Sequence, residues 1–135
     1  MQLLNGARMA TRLPTGDLER ARRYYAEKLG LEPTDERAGG LLYRGARGEF
    51  ALFDSAGTPP GTFTQMVFEV EDLAGTVAEL RSRGVAFEEV DLPGLKTVDG
   101  IADVAGNYPG KGTGERAAWF RDSEGNLLAI SESMR

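Results

Sequence analysis

One pattern occurs twice in this chain, and that repetition constrains its fold more than any single motif. The stretch 9-MATRLPTGDLERARRYYAEKLGL-31 reads as a short extended run, then Asp17 as a helix N-cap. Leu18, Ala21, Tyr25 and Leu29 follow at helical spacing, with Gly30 as the stop. About half a chain later, 64-TQMVFEVEDLAGTVAELRSRGV-85 repeats the order: a strand, Asp72 as cap, Leu73, Val77 and Leu80 on one stripe, and Gly84 as the stop.

Further strand signals follow each helix. In the first half they are 31-LEPTDERA-38, 41-LLYRGA-46 and 49-EFALFDS-55, separated by breaks at Gly39-Gly40 and Arg47-Gly48. In the second half 86-AFEEVDL-92, 117-AAWFRDS-123 and 127-LLAISES-133 play the same parts, with a hairpin turn at Ser123-Glu124-Gly125-Asn126. Each half therefore predicts strand-helix-strand-strand-strand, an α+β arrangement of two βαβββ modules. Their expected bounds are 9–55 and 64–135, with residues 1–8 an N-terminal extension and 56–63 a linker. A long Gly-rich insert, 93–115, interrupts the second module. With 135 residues the whole is expected to be one structural domain.

Composition excludes whole classes of chemistry. The chain has no Cys and no His, so disulfides, thiolate zinc sites, thiol nucleophiles and Ser-His-Asp arrangements are all ruled out. Any side-chain metal site would need oxygen donors alone, and any acid–base group would be a carboxylate, Lys or Tyr. A net charge of −5 leaves no basic stripe for a phosphate backbone or an anionic membrane surface, and no apolar run is long enough to span a bilayer. The expectation is a cytoplasmic protein with neither nucleic acid nor membrane as partner. The 110-GKGT-113 segment has Gly between Lys and Thr, which breaks the nucleotide-loop pattern.

The segments 17-DLERARRYYAEKLGL-31, 72-DLAGTVAELRSRGV-85 and 119-WFRDSEGNLL-128, in this order and at these spacings, resemble the vicinal oxygen chelate superfamily of glyoxalases, bleomycin resistance proteins and dioxygenases. The resemblance implies two paired βαβββ modules forming a curved mixed β-sheet around a cavity. It also implies a homodimer. Metal enzymes of the superfamily place ligands seven residues before each helix-opening Asp and three residues after the Gly-Asn turn, positions occupied here by Ala10, Gln65 and Ala129. One neutral amide cannot hold a divalent ion, so the expectation is no metal and no cofactor.

Side chains two apart on a strand share a face, which places Arg12 with Ala10, Val67 and Glu69 with Gln65, and Leu127 and Ser131 with Ala129. Arg12 reads either as an anchor for an anionic ligand group or as a residue paired to Glu69. Gln65 reads as a ligand contact or as a satisfied polar residue of the sheet. Trp119 is the aromatic expected to line a pocket, and Tyr108, in 105-AGNYPGKGTGE-115, is expected on a loop covering its mouth. Two functions follow. One is a metal-free protein binding a small organic molecule through Arg12, Gln65, Glu69, Trp119 and Tyr108. The alternative is a metal-independent lyase or isomerase with Glu69 as the candidate base and Arg12 stabilising the developing anion.

Overall fold

The structure is a computed structural model that describes residues 5, 8–55, 63–107 and 109–134. The first module runs β1 (Thr11–Thr15), α1 (Leu18–Glu27), β2 (Asp35–Arg37), β3 (Gly40–Arg44) and β4 (Glu49–Asp54). The second runs β5 (Met66–Glu69), α2 (Leu73–Ser82), a small hairpin of β6 (Asp91–Leu92) and β7 (Leu95–Lys96), then β8 (Ala102–Ala105), β9 (Gly114–Arg121) and β10 (Leu127–Met134). The sheets have the same topology, β1-β4-β3-β2 and β5-β10-β9-β8. In each the first strand pairs in parallel with the last, and the remaining pairings are antiparallel.

Both helices begin where the capping residues put them. Asp17 accepts from the Arg20 N–H and Asp72 from the Gly75 N–H, each at 3.0 Å. Gly30 and Gly84 take φ of +70° and +90° just past the helix ends, a conformation that costs side-chain-bearing residues energy. The C-termini meet, with Lys28 Nζ donating to the Arg83 carbonyl at 2.7 Å. The apolar stripes, Ala21 and Tyr25 on α1 and Leu73, Val77 and Leu80 on α2, join the inward residues of both sheets in one core. Tyr43 and Phe50 stack at 4.8 Å, and Phe50 meets Phe68 of the second module edge-on at 6.3 Å. Burying a large apolar side chain contributes about 1.5–3 kcal/mol. This shared core holds the modules together, and it leaves the opposite face of each sheet outside it.

Three elements differ from the sequence expectation. The segment 86–92 contributes only an isolated bridge, Phe87 to Phe120, and the two-residue β6. Its place at the sheet edge is taken by β8, which lies inside the 93–115 stretch expected as an insert, together with β7 and the first residues of β9. Ala102–Ala105 pairs with the Gly114–Ala117 half of the long β9 although its composition is a weak strand signal, while Phe87 and Glu88 meet the other half at Phe120 and Trp119. The segment 31–38 narrows to the exposed β2. Most of the expected extension and linker, and Tyr108, lie outside the described residues.

The turn between β9 and β10 is a polar clamp on the first module. Glu124, its side chain fully enclosed, accepts from the Gly16 and Asp17 N–H groups at 2.9 and 3.0 Å and from Arg20 at 2.8 Å. The Arg20 guanidinium, with the Ser123 hydroxyl and these two backbone donors, holds the Glu124 carboxyl down to about 2. Tyr25 donates to Asp122 at 2.7 Å, and burial beside that carboxylate pushes the phenol well above its ordinary range. Asn126 donates to Pro14 O and to Asp122. The Arg-Asp-Ser-Glu-Gly-Asn motif thus locks α1 and β1 to the second sheet.

Candidate functional site

The outer face of the first sheet carries a cleft of about 560 Å³. Cross-strand register explains its shape. Arg12 lies opposite Ala51, which lies opposite Leu42, and the next row aligns Pro14, Phe53, Gly40 and Arg37. Phe50 and Leu52, one residue off in parity, point into the core. Ala10, Ala51 and Gly40 put almost no side-chain volume in the middle of this face, so it is hollow there, and Leu42 and Phe53 provide apolar walls. The Arg12 guanidinium sits 4.4 Å over the centre of the Phe53 ring.

The outer face of the second sheet holds most of the other expected residues. Register groups Gln65, Leu127 and Arg121 in one row by strand order, Val67, Ala129 and Trp119 in the next, and Glu69, Ser131, Ala117 and Ala102 in a third. The Gln65 amide is occupied: Nε2 donates to Asn126 at 3.0 Å, and Oε1 accepts from the Leu127 N–H at 3.2 Å. Trp119 is half-buried and donates to the Thr64 hydroxyl at 3.1 Å. Glu69 is exposed and accepts from Ser133 Oγ at 3.4 Å. It borders a second recess, about 640 Å³, between β5 and the β3–β4 hairpin, where Pro109 and Lys111 of the 105–115 loop also sit.

The structure therefore divides the expected cluster within one chain. Arg12 and Ala10 belong to the cleft of the first sheet, while Gln65, Glu69, Trp119 and Ala129 belong to the second. No Arg12–Glu69 pair forms among the described residues, and a base and an anion holder are not assembled on one surface. Phe53, Ala51 and Arg37 escaped the sequence reading. Their signal was present in the alternation of 49-EFALFDS-55 against the Gly39-Gly40 break, but it becomes readable only once the β1–β4 register is known.

The three superfamily ligand positions do not fit a divalent ion. Ala10 and Ala129 offer methyl groups, and the Gln65 amide already makes two hydrogen bonds. Among the described residues no group of three or more Asp or Glu side chains is arranged to hold a metal.

The topology can be set against known proteins. A glyoxalase/bleomycin resistance protein/dioxygenase from Alicyclobacillus acidocaldarius superposes with a TM-score of 0.70 at 14% identity, over 100% of this chain and 96% of that one. TnmS3, an antibiotic binding protein from Streptomyces sp. CB03234, gives 0.61 at 20% identity, over 96% and 98%. The fosfomycin resistance protein FosX of Listeria monocytogenes, in complex with Mn(II), gives 0.65 at 10% identity, over 97% and 93%. At these identities the likeness concerns the fold. No curated protein matches the sequence. The sequence model of one family spans residues 8–130, which takes in both modules and the clamp between them. The chain is thus a member of the Glyoxalase/Bleomycin resistance protein/Dioxygenase superfamily.

Proposed function

We propose that the protein binds a small organic molecule, without a metal ion or other cofactor, in the cleft on the outer face of its first sheet. The observation that carries this reading is the cleft itself: about 560 Å³ hollowed over Ala10, Ala51 and Gly40, walled by Phe53 and edged by Arg12. That volume lies within the range of small-molecule sites. Two methyl groups and an occupied amide at the ligand positions remove the chemistry on which the superfamily's metal enzymes depend, and leave the space. The fold is shared with an antibiotic binding protein, so it is one that accommodates small-molecule binding.

The binding unit is a homodimer in this reading. The family resemblance implies the dimer, and the two outer sheet faces lie outside the chain's own core, where a second copy has surface to meet. In this reading the protein acts in the cytoplasm, and its net charge of −5 supports a role that engages neither nucleic acid nor an anionic membrane surface. Among the described residues no helix is long and apolar enough to cross a membrane.

A thermal-melt panel of small organic acids, aromatic metabolites and glycopeptide drugs tests the proposal on wild type and on Ala51→Trp. Ala51 faces outward, so an indole there fills the cleft without entering the core. Ligands that raise the wild-type Tm should lose the effect in the variant. An unchanged shift in Ala51→Trp, or no shift from any compound, would overturn the proposal.

A further inference from the structure

The charges around the cleft are unequally engaged. Three guanidiniums, Arg8, Arg12 and Arg37, and three carboxylates, Asp35, Glu36 and Glu49, line it. Glu36 is ion-paired with Arg22 and Glu49 with Arg44, neither of which lines the cleft. Asp35 accepts the Glu36 N–H at 2.9 Å. The lining thus holds three cations and three anions, but two of the anions are engaged by guanidiniums from outside it, in a chain whose net charge is −5. Among the described residues Arg12 and Arg37 have no carboxylate partner.

Geometry adds a shape requirement to that sign. Stacking on Phe53 uses the face of the Arg12 guanidinium and leaves the N–H donors around its edge free in the plane of the group. Arg37 lies in the Phe53 row with only Gly40 between them, and its stem runs over that glycine: a Cβ there would sit 3.7 Å from Arg37 Cγ. The floor, Ala10 and Ala51, presents only methyl groups.

On the binding reading above, we infer that the cleft selects a planar organic anion, an aromatic or conjugated carboxylate. Its ring lies on the Ala51 floor beside Phe53, and its carboxylate takes a two-point contact from Arg12, with Arg37 closing the other side. Flatness matches the Phe53 ring and the planar guanidinium stacked on it. The negative charge answers the unpaired cations.

The test compares 2-naphthoate with its neutral near-isostere 2-naphthamide by equilibrium binding to the full chain, at low and high salt. Naphthoate should bind at least tenfold more tightly, and the preference should shrink as salt rises. Arg12→Met should abolish the preference and Arg12→Lys should retain part of it, because charge survives there while the planar fork is lost. Arg12 is exposed, so neither change disturbs the core. Equal affinity for acid and amide, no binding of naphthoate, or naphthoate binding unchanged in Arg12→Met would each overturn the inference. If neutral members of the organic panel still bind and are displaced by Ala51→Trp, the cleft keeps its role and only the anion assignment falls.

Discussion

At the scale of single residues, strand parity groups Arg12 with Ala10, and both line the cleft of the first sheet, because parity needs only the alternation of one strand. The state of Gln65 was illegible. Its partner Asn126 is 61 residues away, and their hydrogen bond exists only because β5 and the β9–β10 turn are packed side by side. The same packing gives Glu124 its role, which the motif alone did not disclose. Its carboxyl is held at about 2 against an ordinary 4.5, so ionised Glu124 favours the folded state. That contribution is complete above about pH 4.5 and disappears as pH falls through about 2. Glu124→Gln should lower stability by about 2–3 kcal/mol at neutral pH, the scale of lost hydrogen bonds to a charged group. Urea unfolding should also lose part of its pH dependence between about 2 and 4.5. A variant as stable as wild type at pH 7, with the same acid profile, would show that the clamp contributes nothing.

At the scale of elements, the helices were legible from end to end because their signals are local: cap, stripe and stop all lie within one segment. The strand β8 was not. Ala-Asp-Val-Ala is a poor strand by composition, and only the unfilled edge of β9 makes it one, whereas the better strand former 86–92 finds little to pair with. Local signals carry hidden context too. Gly75 lies inside α2, where Gly→Ala ordinarily stabilises by about 1 kcal/mol. Here a Cβ at that position would collide with the Asp72 carboxylate that caps the helix. The two effects have similar size, and the collision also displaces the cap, so Gly75→Ala should leave stability unchanged or lower it by about 1 kcal/mol in urea melts. A gain of about 1 kcal/mol would contradict the cap geometry.

At the scale of the whole molecule, two modules of one topology share a core on their inner faces and are clamped by one turn, which leaves the cleft of the first sheet on an outer face. That division follows from placing both helices against one core, and no sequence pattern reveals it, since each helix could equally well have packed only on its own sheet. The superfamily's fold is complete while Ala10, Gln65 and Ala129 stand where the family resemblance expects metal ligands, and on the proposed reading the cleft works without a metal. The most direct measurement is the Tm of chelator-stripped protein before and after adding back manganese, iron, nickel or zinc. An ion bound only by the native state must raise the Tm. A metal-free cleft predicts no shift with any of the four and the same Tm before and after stripping. A Tm that drops on chelation and returns with one of these ions would contradict it.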